Sequence, residues 1–176
     1  LVQDIPTEVY GQKTAEDVLT ADADQVHSGV YLEKLYPNDD ELVYPFHRIR
    51  LKKESVFVRK LGFSVQDLPR VATAHHQAIG KLGAGLSATA TSLDGKIVEA
   101  AEHARFINVL GIQFHPERYT LYRKDFYQRE KTGAPLTFNP LAFLKAHPPT
   151  LAFHLAIWKW FSDQVSAQET TRKSRQ

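Results

Sequence analysis

Three strand-forming runs crowded into residues 86–114 constrain the fold more than any other feature of this chain. "LSATATS" (86–92) is rich in β-branched and small residues, "LDG" (93–95) is a turn, and "KIVEAAEH" (96–103) follows it directly. Two such runs on either side of a glycine turn predict a β-hairpin. "FINVLGIQF" (106–114) is the next strand, and its near-continuous apolar centre is the pattern of a strand buried on both faces. That strand ends abruptly in His115-Pro116-Glu117.

The remaining elements are laid around this sheet. "LVQDI" is a strand-like remnant, and "PTE" (6–8) opens a turn or short helix. Residues 8–46 form a polar, acid-rich excursion of weak periodicity, expected to be a lid or surface loop. In "HRIRLKKES" (47–55), Ile49 and Leu51 alternate with charges, as in a half-exposed strand. "SVFVRKLG" (55–62) predicts one or two helical turns closing at Gly62. "RYTLYRKDFYQREKTG" (118–133) places Tyr119, Tyr122 and Phe126 at helical spacing, and "TLAFHLAIWKWFSDQVSAQE" (150–169) predicts the last helix, with Thr150 as N-cap. Its two tryptophans suit core or interface packing. One domain over 1–165, with an insertion at 118–150 and a solvated tail at 166–176, accommodates all of this.

With 43% hydrophobic and 24% charged residues, the chain can build a sizeable core. A net charge of +2, carried by scattered basic residues, gives no footprint for nucleic acid. No apolar run approaches the ~20 residues of a membrane span, so a soluble, cytoplasmic protein is expected. Cysteine and methionine are both absent. Their absence excludes disulfides and thiolate sites within these residues, and suggests that the 176 residues are part of a longer translation product.

A histidine at the end of a buried strand, with a carboxylate two residues on, suits a base and its orienter: imidazole takes a proton from a nucleophile while the carboxylate fixes its tautomer. Neither residue is a good acyl acceptor, so the pair lacks a nucleophile. His47, His75, His76, His103 and His115 raise a metal alternative. Their wide separation in sequence neither proves nor excludes the three or four ligands that zinc needs. Glu99 and Glu102 are expected to be solvated or paired with Arg105, and Asp94-Gly95 to form the hairpin turn.

"DGKIVEAAEHARFINVLGIQFHPE" (94–117) resembles the closing segment of class I glutamine amidotransferases. It is most similar to the branch holding the γ-glutamyl-γ-aminobutyrate hydrolases and C26-type peptidases. "LVQDIP" looks like the end of the "QDI" run downstream of that family's nucleophile elbow, and "HRIRLKKES" like the strand opening its next unit. "ATAHHQAI" resembles its "NS-x-HHQA" loop, with Ala72 in place of asparagine and Thr73 in place of serine.

The resemblance implies an α/β, flavodoxin-like fold in which helices flank a mostly parallel sheet, with the N-terminal strands and the elbow lying outside this chain. It implies a γ-glutamyl amide as small-molecule substrate and a thioester on a cysteine upstream of Leu1. His115 matches the base and Glu117 the orienter, while Thr73, Ala74, His75 and His76 match the loop lining the glutamyl pocket, partly through backbone groups. His76 and Gln77 serve either substrate contact or buried polar pairing. No cofactor and no metal are expected, because the family chemistry already accounts for His115 and the loop histidines. The expected partners are the missing N-terminal segment of the same domain and a second copy of the chain, with neither nucleic acid nor membrane. Two rival functions remain: a glutaminase subunit feeding ammonia to a synthetase, and an inactive binding or regulatory module of the same fold.

Overall fold

A computed structural model of the chain describes residues 1–27, 43, 45–130 and 133–173. Of the proposed lid, residues 28–42 and 44 lie outside them. The chain starts with helix α1 (Ile5–Tyr10), whose N-terminus is closed by the Asp4 carboxylate and by Glu8, which accepts from the amides of Gln3 and Asp4 at 2.9 Å. Helix α2 (Ala15–Leu19) carries a capping box between Thr14 and Asp17. After a 3-10 turn at Ala23–Gln25 come strand β1 (Phe46–Leu51), helix α3 (Val56–Arg59) and strand β2 (Arg70–Ala72). Gly62 follows α3 with φ of 81°.

Strands β3 (Leu86–Ser92), β4 (Val98–His103) and β5 (Leu110–Ile112) complete the sheet, in the order β2-β1-β3-β4-β5. The hairpin is where the sequence puts it, with Gly95 at the turn taking a φ of 81° that a residue with a Cβ avoids.

The mostly parallel sheet expected for this fold is not what these residues build. Every strand pairing among the described residues is antiparallel. For β3-β4 and β4-β5 the reason is connection length: parallel neighbours need a crossover of about a dozen residues or more, whereas Ser92 and Val98, and His103 and Leu110, are joined by short turns. Strand β5 is also shorter than expected and is not buried on both faces. Phe106, Ile107 and Val109 are 54%, 72% and 45% exposed, and only the stretch through Phe114 enters the core.

The main core joins Ile49, Leu51, Ala90 and Ala100 of the sheet to Val56 and Phe57 of α3 and to Phe114. Helix α5 (Thr150–Lys173) closes it with Phe153, Ile157 and Trp160, a stripe at helical spacing. A second cluster packs Phe46, Ala72 and Leu121 against Leu144 of helix α4 (Pro140–Ala146), and a third seats Ile5 on Ala78 and Ile97.

Residues 118–133 do not form the expected helix. Tyr119–Tyr122 make one 3-10 turn, and Gln128 then bridges to Phe138. The side-chain amide of Asn139 donates from Nδ2 to the Phe126 carbonyl at 2.7 Å, taking an acceptor that a continuing helix would have used. Thr150 is not the expected cap either: its hydroxyl accepts from Arg70 N–H at 3.0 Å and ties α5 to β2.

Candidate functional site

His115 is delivered by its neighbours on both sides. Phe114 is 2% exposed in the main core, and the His115 amide donates to the Ala72 carbonyl at the end of β2, at 2.9 Å. The backbone is thereby fixed just where the buried run stops. On the other side, the Pro116 carbonyl accepts two hydrogen bonds, from the Tyr122 hydroxyl at 2.6 Å and from the Trp158 indole N–H at 3.1 Å. The turn is thus clamped by a 3-10 turn and by α5.

On this frame His115 Nδ1 lies 2.7 Å from Glu117 Oε1. A carboxylate only accepts at neutral pH, so Nδ1 carries the proton and Nε2 is left as the basic nitrogen. The side chains are 33% and 55% exposed, which leaves the pair reachable by a substrate. Partial burial pushes the Glu117 carboxyl up, but the His115 hydrogen bond and the positive charge of Arg118 outweigh it and hold the group below the ordinary carboxylate range. An open apolar depression beside Glu117, lined by Leu110, Ile112, Ile157, Trp158 and Phe161, gives the pair one low-dielectric flank.

The loop at 73–76 is split by its alternation. Ala74 and His76 face outward, while Thr73 and His75 are buried at 0% and 8% exposure. The Thr73 hydroxyl donates to the His27 carbonyl at 2.7 Å, and the His75 amide donates to the same oxygen at 3.0 Å. His75 Nδ1 lies 3.0 Å from the Gln77 carbonyl. The loop also sits on the first residues of the chain: Ile5 N–H donates to the His76 carbonyl at 2.7 Å, Val2 pairs with Ala78, and Gln77 bonds the Gln3 side chain at 2.9 Å. The structure therefore brings the loop to His115 through Ala72, with Ala74, His76 and the backbone as its outward groups.

Glu99 overturns its sequence expectation. It is fully buried, with Oε1 at 3.3 Å from His27 Nδ1 and 3.1 Å from His47 Nε2, and Oε2 at 3.9 Å from His75 Nε2. Glu102 pairs with Arg59 at 3.2 Å and accepts from Val56 N–H at 2.8 Å, instead of meeting Arg105. Burial alone would raise the Glu99 carboxyl, yet His27 and His47 hold it well below its usual range. Burial likewise lowers His27, and lowers His75 to about 4. The sequence singles out His47 and His75; His27 carries no local signal, and Glu99 is expected there to be solvated or paired with Arg105.

The Peptidase C26 family model matches residues 12–117, more than half of the chain and ending on Glu117. The chain belongs to the Peptidase C26 family. A putative glutamine amidotransferase-like protein of Lactococcus lactis is 42% identical over 73 residues, covering 42% of this chain and 28% of that protein. A second putative glutamine amidotransferase-like protein, from Rickettsia prowazekii, is 49% identical over 47 residues, covering 27% of this chain and 16% of that protein. The chain thus matches less than a third of either relative's length. As a C26 member it carries the His115-Glu117 pair inside the matched region, whereas the "QDI" segment lies before it. Among the described residues no helix is long and apolar enough to cross a membrane.

Proposed function

We propose that the chain is part of a cysteine-dependent hydrolase of γ-glutamyl amides, in which His115 and Glu117 serve a thiol supplied from outside these 176 residues. The observation that carries it is the 2.7 Å contact between His115 Nδ1 and Glu117 Oε1 on a clamped strand end. This contact leaves Nε2 able to take a thiol proton. The thiolate attacks the γ-carbonyl, and the imidazolium returns its proton to the departing amine as the C–N bond breaks. Nε2 then deprotonates the water that opens the γ-glutamyl thioester, releasing glutamate and restoring the thiol. Glu117 holds the ring and balances its charge at both stages. Family membership supports the amidohydrolase class, and the outward-facing Ala74, His76 and loop backbone support a pocket beside His115.

The test is glutamate release from a panel of γ-glutamyl amides by the full-length protein. His115→Ala should lower kcat by roughly 10²–10⁴-fold, the range for loss of a positioned general base, with the fold unchanged by circular dichroism. Turnover indifferent to His115→Ala contradicts the proposal.

A further inference from the structure

The group formed by His27, His47, His75 and Glu99 is unused by the chemistry at His115. It ties together four distant parts of the chain: the segment before β1, β1 itself, the 73–76 loop and β4. All four residues are at most 8% exposed. Both nitrogens of His27 and His47, Nε2 of His75 and both oxygens of Glu99 are buried without a hydrogen-bond partner among the described residues. The 3.1–3.3 Å approaches of His27 and His47 to Glu99 fall outside hydrogen-bond geometry. So many convergent orphaned polar atoms are costly unless something satisfies them together.

The spacing identifies that something. With bonds of about 2.0–2.1 Å, two ligands of a tetrahedral zinc ion are about 3.3 Å apart. Glu99 Oε1 lies 3.3 Å from His27 Nδ1 and 3.1 Å from His47 Nε2, and one donor atom from each of the three residues lies within 4.8 Å of the others. His75 adds the outer-shell arrangement typical of a metal-binding histidine. Its Nδ1 donates to the Gln77 carbonyl at 3.0 Å, so the bare lone pair of Nε2 stands 3.9 Å from the acceptor-only carboxylate of Glu99. Two lone-pair donors facing one another repel unless a proton or a metal cation lies between them. Tyr10 stacks on His27, with ring centroids 6.1 Å apart.

We propose that His27, His47 and Glu99 hold a divalent transition-metal ion of zinc's chemistry, with His75 Nε2, 3.9 Å from Glu99 Oε2, facing the fourth position. The ion's role is structural: it locks His27, whose carbonyl holds Thr73 and His75, and so fixes the pocket loop against the sheet. This site stands whether or not His115 and Glu117 hydrolyse an amide.

The test is a titration of the chelator-stripped full-length protein with Zn²⁺ in competition with a chromogenic chelator, with Co²⁺ as a spectroscopic probe. The site predicts one equivalent bound, visible Co²⁺ bands of four-coordinate intensity, and metal-dependent thermal stabilisation. Glu99→Gln and His47→Gln should each weaken binding at least about tenfold. Should either variant fail to fold, X-ray absorption of the zinc-loaded wild type decides by itself: imidazole and carboxylate ligands at tetrahedral distances support the site. No stoichiometric binding, six-coordinate Co²⁺, or affinity unchanged in both folded variants overturns it.

Discussion

At the scale of single residues, the His115-Glu117 pair depends on the Pro116 carbonyl, which holds the turn through Tyr122 and Trp158. Trp158→Phe keeps the ring but removes one donor, at a stability cost of about 0.5–1.5 kcal/mol for a lost hydrogen bond. Because Trp158 acts through the turn, its loss should lower kcat with KM nearly unchanged, measured on the full-length protein; a KM effect alone would mean that Trp158 contacts substrate. Glu117→Gln retains an acceptor but loses the charge opposing the imidazolium, and should lower kcat more than Trp158→Phe. The His115-Glu117 pair was legible because its partners are two residues apart. The clamp was not, since Trp158 lies 42 positions from Pro116 and nothing local marks the contact. Glu99 misled for a related reason: alternation within β4 says which residues share a face, but not that His27 and the 73–76 loop cover that face.

Elements were legible where local pattern decides them. The hairpin and α5 follow from turn chemistry and helical spacing. The direction of β3, β4 and β5 follows from how few residues join them, a constraint that the family expectation of a parallel sheet overrode. The expected helix at 118–133 fails because the Asn139 side-chain amide and the Gln128 to Phe138 bridge capture its backbone from further along the chain. Helix α5 anchors both core and site, so Phe153→Ala, at a fully buried position, should destabilise by about 3–5 kcal/mol in urea unfolding. His154, beside it, gives α5 a pH signature. Its Nε2 donates to the Arg70 carbonyl at 3.1 Å, and burial lowers its pKa from 6.5 to about 4. As pH falls below 6.5 the unfolded chain takes up a proton that the folded chain refuses until about 4. This contribution to stability is therefore complete above that window and is lost progressively within it, by an amount on the order of 3 kcal/mol. His154→Gln should flatten that part of the urea-midpoint profile; an unchanged slope would place the titration elsewhere.

At the scale of the molecule, the sheet brings two arrangements to either side of one loop. Ala72 passes its carbonyl to His115, and three residues later His75 meets Glu99. The outward side holds the His115-Glu117 pair, in a chain that contains no cysteine, and the inward side holds the buried histidines. The central claim is that the base serves a cysteine from another part of the same protein. Intact mass of the full-length protein, before and after incubation with a glutamine-analogue diazoketone, tests it most directly. The account predicts one adduct, on a cysteine outside these 176 residues, formed far more slowly in His115→Ala. A protein that gains no adduct while binding γ-glutamyl compounds would contradict the account and leave the pair a relic in a binding module.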